Sequence, residues 1–286
     1  MNDYVIMTDS TIDLNADLAE SLGLNVIRMM VCIDDKTFSD NELTSKEFYN
    51  KLRNKSVSST SQINPSTFAE YFTDIVKTGN DILYICFSSG LSGMYNSAVL
   101  AAEQVQKDYP ERKILVIDSL SASIGEGLLV YHAAMKKREG LSMEEVAEWV
   151  EENKLKVCHW FMVDDLNHLC RGGRLSQSAA FFGSMMNIKP ILSVDNEGKL
   201  KVAAKVRGKS KAMDYILGQI ENYAQDVKDQ TILVGHADCE ENAKILASMI
   251  LDKFNPKEII ISNLGAVIGS HVGPGMFAAT FLGNNR

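Results

Sequence analysis

Serine-rich turns that precede predicted helices carry the groups of this chain best suited to chemistry. The sequence Ser-Ser-Gly-Leu-Ser-Gly at residues 88–93 follows a predicted strand at 82–87 and opens a predicted helix at 92–109. The first turn of a helix presents unpaired N–H groups and the positive end of the helix dipole. Ser92 and Gly93 are therefore predicted to bind an anion, either a phosphate or a carboxylate. The alternative is that Ser92 only caps the helix.

A second hydroxyl-rich turn lies at residues 58–62, before a predicted helix at 66–77. The Asn-Pro pair that follows this turn suits the cap and the first position of that helix. This explanation leaves Thr60 and Ser61 without a role. We therefore predict that one of the two hydroxyls contacts the same anion, and a turn without function is the alternative.

Positive charge and one histidine complete the set of candidate groups. Arg171 and Arg174 flank a glycine pair, and such a loop can clamp an anion or anchor one domain on the other. Arg207 belongs to a basic cluster with three neighbouring lysines, which is either a docking patch or a solvated face. His271 lies in the glycine-rich segment 269–275, whereas the other four histidines are predicted to be structural.

No complete catalytic set accompanies these groups. Ser92 and His271 could act as nucleophile and base of a lipid ester hydrolase, but the turn is not G-x-S-x-G and no acid stands out to orient the histidine. Nucleotide-binding glycine motifs and clustered metal ligands are also missing from the sequence. We therefore predict a binding protein without a cofactor or a metal. The hydrolase is the alternative, and a sugar-binding subunit with a small polar cavity is a third hypothesis.

An apolar segment at residues 179–188 bears on the size of the ligand. A helix that is hydrophobic on every side is commonly deep core. The alternative is a tunnel for an alkyl chain, lined by small and flexible side chains. The candidate tunnel residues are Ala180, Phe181, Gly183 and Met185.

Composition and periodicity predict the architecture. The chain has 286 residues, of which 45% are hydrophobic, and a formal net charge of −8. Alternating strands and helices predict an α/β protein: a three-layer α/β/α domain with a parallel sheet at 1–154 and an α/β domain with a mixed sheet at 155–286.

The acidic charge argues against a nucleic-acid partner. We find no apolar run long enough for a membrane span and no secretory signal, so we expect a cytoplasmic protein with at most transient contact with a membrane surface.

The motifs, taken together in their order, resemble the DegV family of bacterial lipid-binding proteins. The matching segments extend over nearly the whole chain, at residues 9–14, 60–62, 88–93, 118–119, 171–176, 189–192 and 271–275. Two departures from the family pattern concern the anion-binding turns. Met94 stands where a threonine is common, and three residues lengthen the Ser-Gln-Pro pattern after Gln62.

The resemblance implies a protein that holds one long-chain fatty acid, such as hexadecanoate, as its ligand. The carboxylate would lie between the domains, bound by Thr60 or Ser61, by Ser92 and by His271, with the acyl chain in a tunnel of the second domain. A separate fatty-acid kinase would phosphorylate the carboxylate. Arg207, Arg171 and Arg174 would present the carboxylate or dock the kinase. The protein would then carry the acyl phosphate toward phospholipid synthesis.

Overall fold

A computed structural model describes residues 3–176 and 187–286. The first sheet is wholly parallel, in the order β2-β1-β6-β7. Its strands are β1 (Tyr4–Asp9), β2 (Asn25–Ile27), β6 (Asp81–Cys86) and β7 (Ile114–Asp118). Every residue of the central strand β6 is buried, as expected for a parallel strand covered on both faces.

Two further sheets complete the strand framework of the described residues. A small antiparallel sheet has the order β4-β3-β5 and contains β3 (Met30–Ile33), β4 (Lys36–Ser39) and β5 (Ser58–Ser61). The third sheet is mixed, in the order β10-β9-β8-β13-β11-β12. Its strands are β8 (Val157–Met162), β9 (Ile188–Val194), β10 (Leu200–Arg207), β11 (Thr231–His236), β12 (Glu258–Asn263) and β13 (Phe277–Leu282). Only β11 and β12 pair in parallel among these strands.

Helices cover the sheets. They are α1 (Ala16–Ser21), α2 (Ser45–Arg53), α3 (Pro65–Val76), α4 (Met94–Asp108), α5 (Ile124–Arg138), α6 (Met143–Asn153), α7 (Asn167–Arg171), α8 (Gly208–Tyr223), α9 (Glu240–Phe254) and α10 (Ala266–Val272). Short 3-10 turns occur at Ser10–Ile12, Lys154–Lys156 and Val227–Asp229. The predicted α/β class, with a parallel first sheet and a mixed later sheet, is confirmed.

The two halves of the chain are tied together by polar contacts. Ser88 at the end of β6 donates a hydrogen bond to the carbonyl of Gly198 in the β9–β10 hairpin (2.8 Å). The Arg286 guanidinium is largely buried and donates to the carbonyls of Leu120 (2.7 Å) and Asp195 (2.9 Å). Helix α5 packs against strands of both large sheets. A domain border at 154/155 stays a prediction.

The structure differs from the sequence-based prediction in two places near the site. The apolar residues at 25–33 predict one strand, but the chain changes sheets after β2, where the amide of Met29 donates to Ser10 Oγ (3.1 Å). Residues 58–61 were expected to be a turn and instead form β5, which pairs with β3. Both differences arise from pairing between distant segments, which local periodicity does not encode.

Candidate functional site

A cavity lies where the two halves of the chain meet. Its volume is about 820 Å³ when the open end is included. Most side chains in the wall are apolar: Met29, Phe87, Leu91, Met94, Ala122, Ile124, Trp160, Phe161, Leu169, Val194, Leu200, Val267, Ile268, Val272, Met276 and Ala278. A cavity with a mostly apolar wall suits a flexible apolar ligand.

The polar lining residues that reach solvent define a polar mouth, formed by Thr60, Gln62, Ser92, Arg174 and His271. Thr60 Oγ1 lies 2.9 Å from His271 Nε2, which joins strand β5 to helix α10. Gln62 lies against Gly93, where a Cβ atom would come within 2.7 Å of its Oε1. These contacts gather hydroxyl, amide and imidazole groups from distant parts of the sequence at one end of the cavity.

His271 is held as a neutral ring. Burial of the ring, with a smaller contribution from the positive charge of Arg174, lowers its pKa to about 4. Its Nδ1 atom is buried and has no hydrogen-bond partner within residues 3–176 and 187–286. The ring packs closely on Gly172, where an added Cβ atom would lie 2.3 Å from Nδ1. His271 can therefore exchange hydrogen bonds at the mouth, but it carries no charge there at neutral pH.

Arg174 supplies the positive charge of the mouth. Its Nε donates to the carbonyl of Leu91 (3.0 Å), and its Nη1 donates to the carbonyl of Gly172 (2.6 Å). These bonds fix the guanidinium across the two halves of the chain. A guanidinium has five N–H donors, so it can hold this position and still donate to a bound anion.

Ser92 begins the turn that leads into α4. Its Oγ accepts a weak hydrogen bond from the amide of Met94 (3.3 Å), but the N-cap of α4 is Gly93, so Ser92 is not the helix cap. A hydroxyl that accepts this bond still has its own proton to donate. The local bond of Ser92 is therefore compatible with anion binding.

The structure separates Thr60 from Ser61. Both belong to β5, where successive side chains point to opposite faces, and Thr60 lines the cavity whereas Ser61 is exposed. Arg171 is exposed and contacts the ring of His168 (Nη2 to Nδ1, 2.9 Å). Arg207 is exposed at the end of β10. Within the described part of the chain, the cavity lining does not include Ser61, Gly93, Arg171 or Arg207.

The predicted tunnel residues Ala180, Phe181, Gly183 and Met185 lie outside the described residues, and their role stays a prediction. The resemblance implied a tunnel in the second half of the chain. The described cavity instead takes its lining from both halves, with Met29 and Phe87 on one side and Val194 and Met276 on the other.

The inner end of the cavity approaches a buried acid pair. The hydroxyl of Thr11 lies 2.5 Å from Asp9 Oδ1 and 2.7 Å from Glu126 Oε2. Burial raises the pKa of both carboxyl groups, and the Asp9 charge raises the pKa of Glu126 further, well above its ordinary value. Burial therefore disfavours the charged form of both carboxyl groups behind the cavity wall.

Sequence reasoning missed several residues of this site. Gln62 was left open between a function and an ordinary turn, and His159 was predicted to be structural, yet both line the cavity. Met276, just before β13, and Ala278 and Thr280 within it line the cavity and alternate as one face of a strand does. That alternation was readable from the sequence, but nothing local indicated that this face borders a cavity.

The arrangement does not resemble that of a serine hydrolase. His271 Nε2 is paired with Thr60 rather than with Ser92, and no carboxylate contacts Nδ1 within the described ranges. A pKa of about 4 also makes His271 a weak base.

In the described part of the chain, no three His, Cys, Asp or Glu side chains are grouped so that they could hold a metal ion. No helix among the described residues combines the length and the apolar character needed to cross a membrane.

The fold and the cavity define an α/β binding protein with a largely apolar site between its halves. A family model described as "uncharacterised protein, DegV family" matches residues 3–284, and the chain belongs to this family.

Relatives and solved structures support this assignment along the full length. A DegV domain-containing protein from Clostridium perfringens is 45% identical over 289 residues, covering 100% of this chain and 99% of the relative. A solved DegV family protein from Thermus thermophilus, described as fatty-acid binding, has a TM-score of 0.89 at 32% identity, covering 99% of this chain and 100% of its own. DegV from Bacillus subtilis, described as a fatty acid binding protein, has a TM-score of 0.85 at 30% identity and covers 99% and 100%.

Proposed function

We propose that this protein binds one long-chain fatty acid, with the carboxylate at the polar mouth and the alkyl chain in the cavity. The observation that carries this proposal is the distribution of polarity: an apolar wall of sixteen side chains leads to a mouth with hydroxyl, imidazole and guanidinium groups. Solved relatives described as fatty-acid binding support the same ligand class.

The mouth suits a single carboxylate. Thr60 and Ser92 offer hydroxyl donors, His271 offers a neutral ring, and Arg174 is the cation that offsets the ligand's charge. Hydrogen bonds to a charged group are each worth about 1.5–3 kcal/mol. A neutral His271 avoids placing a second buried cation beside Arg174, which would be costly without a ligand.

The alkyl chain would provide much of the affinity. Each methylene group transferred from water into an apolar site contributes about 0.8 kcal/mol. The carboxylate groups would then mainly fix the orientation of the ligand. This division of labour accounts for a largely apolar cavity whose partly exposed polar groups lie together at its mouth.

The experiment is organic extraction of the purified protein followed by mass spectrometry. We expect one fatty acid per chain, and delipidated protein should rebind a labelled fatty acid at the same stoichiometry. A protein that contains no lipid and rebinds none would contradict the proposal. Hydrolysis of acyl esters by the purified protein would instead support the hydrolase that uses Ser92 and His271.

We further propose that the protein presents the carboxylate to a separate fatty-acid kinase in the cytoplasm and carries the acyl phosphate. The exposed arginines Arg171 and Arg207 are the candidate docking groups, because exposed positive charge steers association with a negatively charged partner. The half-exposed mouth residues would leave the carboxylate accessible from outside. Acyl-phosphate formation by a cognate kinase, with and without this protein, tests this role.

A further inference from the structure

The loop at residues 119–123, between β7 and α5, forms one part of the cavity wall, and we call it the wall loop. Ala122, Ser123 and Ile124 are consecutive in the chain, and all three line the cavity. Ser123 and Ile124 are buried, with 8% and 1% of their surface exposed. The backbone conformation at the end of the wall loop therefore decides where three neighbouring lining residues lie.

The backbone of Ser123 has an unusual conformation, with φ 54° and ψ −141°. Residues other than glycine seldom occupy this region, because the Cβ atom crowds the backbone there. Such a conformation is costly and persists only where the surrounding contacts hold it in place. A serine at a position where glycine would be unstrained indicates that its side chain is needed.

Helix capping does not account for this serine. Ser123 directly precedes the first turn of α5, and a serine there commonly accepts a hydrogen bond from an amide of that turn. In α5, which the structure describes in full, Ser123 makes no such bond. Its hydroxyl instead donates to Asp13 Oδ2 (2.5 Å). The side chain thus joins the wall loop to a turn more than a hundred residues away in the sequence.

Asp13 connects the wall loop to the helix that carries the mouth histidine. It is 5% exposed, and its Oδ1 accepts a hydrogen bond from the amide of Gly265 (2.7 Å). Gly265 immediately precedes α10, and His271 lies near the other end of that short helix. The hydroxyl of Ser262 also donates to the backbone carbonyl of Asp13. One buried carboxyl group therefore holds the wall loop and the start of the mouth helix at the same time.

We propose that Asp13 and Ser123 are positioning residues of the fatty-acid site, and that their hydrogen bond keeps the wall loop in its strained conformation. This inference rests on the proposed function and deepens it, because it concerns the same cavity. A wall that is already ordered contacts the alkyl chain without a further loss of conformational freedom on binding. Without the bond, the backbone at Ser123 relaxes, and Ala122 and Ile124 move from their places in the wall.

The first test compares Ser123→Gly with Ser123→Ala by palmitate displacement of a fluorescent fatty acid and by thermal unfolding, both on delipidated protein. Glycine adopts the backbone of Ser123 without strain, whereas alanine keeps the strain and loses the bond to Asp13. We therefore expect Ser123→Gly to unfold at a higher temperature than Ser123→Ala, the reverse of the usual order. Both variants should bind palmitate about tenfold more weakly than wild type, a factor equivalent to about one hydrogen bond. Weaker binding by the less strained variant is a split that a purely structural role would not produce.

Ser119→Ala is the matched control. Ser119 is a buried serine of the wall loop, and its hydroxyl donates to the carbonyl of Ser121 within the same loop (3.3 Å). It is absent from the described lining of the cavity. We expect this variant to lose some stability and to bind palmitate within about threefold of wild type, because the lost bond does not hold Ser123.

Replacement of Asp13 tests the other side of the bond. Asparagine keeps both contacts, since its amide oxygen can accept from Gly265 and its NH2 group can donate to Ser123 Oγ. Asp13→Asn should therefore bind palmitate within about threefold of wild type, whereas Asp13→Ala should bind it about tenfold more weakly. In the Ser123→Gly background, Asp13→Ala should cost less affinity than it does in wild type, because the bond between the two side chains is already gone.

Wild-type affinity in Ser123→Gly, or an equal loss in Ser119→Ala, would overturn the inference and leave fatty-acid binding intact. Equal losses in Asp13→Asn and Asp13→Ala would do the same. A higher unfolding temperature for Ser123→Ala than for Ser123→Gly would show that the wall loop is not strained, which also overturns the inference. Failure of wild-type protein to bind palmitate would refute the proposed function itself.

Discussion

Gly172 controls the position of His271, and its replacement by Ala tests the proposed carboxylate site without touching a polar group. The backbone at Gly172 is helical (φ −71°, ψ −9°), so Ala fits its conformation. An added Cβ atom would lie 2.3 Å from His271 Nδ1, and an ordinary contact requires about 3.4 Å. The ring cannot retreat directly, because its Nε2 already lies 2.9 Å from Thr60 Oγ1. It must therefore rotate away from the mouth.

The expected loss follows from the contact between His271 Nε2 and Thr60 Oγ1, because a ring that donates to Thr60 leaves the Thr60 proton free for the carboxylate, and the rotated ring can no longer do so. A hydrogen bond to a carboxylate is worth about 1.5–3 kcal/mol, which corresponds to a roughly 10- to 150-fold weaker fatty-acid affinity. The alkyl contacts are unchanged, so binding should persist. A Gly-to-Ala change in a compatible backbone stabilises the fold by about 0.4–1 kcal/mol, because it lowers the conformational entropy of the unfolded chain. This gain offsets part of the strain around the His271 ring.

Gly93→Ala is the matched control. Its backbone also accepts Ala (φ −78°, ψ 6°), and the added Cβ atom meets only the tip of the exposed Gln62 side chain at 2.7 Å. The assay is displacement of a fluorescent fatty acid from delipidated protein, with thermal unfolding to verify folding. We expect Gly93→Ala to bind within about threefold of wild type, because the affected side chain is flexible. Equal affinities for Gly172→Ala and wild type, or equal losses in both variants, would refute the role assigned to His271.

Three further predictions concern single residues. Thr60→Val should weaken palmitate binding about tenfold in the same displacement assay, whereas Ser61→Ala on the opposite face of β5 should leave it unchanged; the reverse result would place the wrong hydroxyl in the site. Arg207→Ala should retain co-purified fatty acid but lose most kinase-dependent acyl-phosphate formation, and full turnover would show that Arg207 does not dock the kinase. Burial raises the pKa of Asp13 to about 8. Between about pH 4 and pH 8 the folded protein therefore keeps a proton on Asp13 that the unfolded chain has already released. The contribution of Asp13 to stability is therefore present below pH 4 and lost as the pH rises through 8. Urea unfolding should show a smaller loss of stability between pH 5 and pH 8 for Asp13→Asn than for wild type, and identical pH profiles would contradict this prediction.

Local sequence patterns predicted the elements that position the site because those elements carry their own signals. The strand at Asp81–Cys86 is a continuous apolar run, and the serine-glycine turn after it leads into α4 as expected. The sequence Asp-Asn-Glu-Gly at residues 195–198 predicts a hairpin turn, and the turn is present with Gly198 at a positive φ of 71°. Each of these features depends on a few neighbouring residues.

The choice between Thr60 and Ser61 could not be made from the sequence. Their opposite orientations follow from the pairing of β5 with β3, in which Thr60 lies opposite Val31 and Ser61 opposite Met30. This register is set by a contact between segments about thirty residues apart, and shifting it by one residue would exchange the two side chains. The residue types alone are equivalent as hydroxyl donors.

The arginine loop illustrates the same limit. Arg171 and Arg174 were both predicted to be docking groups, and the sequence around them is nearly symmetrical. In the structure Leu175 is buried and draws the chain inward, so that Arg174 reaches Leu91 and Gly172 while Arg171 stays exposed at the end of α7. The one arginine that enters the mouth is thus selected by packing of its apolar neighbour.

The electrostatics of the mouth depend on this selection. Burial of its ring, with a smaller contribution from the charge of the half-buried Arg174, lowers the pKa of His271 to about 4, and the ring remains a neutral partner of Thr60. A carboxylate that enters next to Arg174 then meets one cation and neutral hydrogen-bonding groups, and the net charge of the occupied mouth is zero. This balance explains how a ligand with a charged end can be held at a largely apolar cavity, because no buried charge is left unpaired once the ligand is bound.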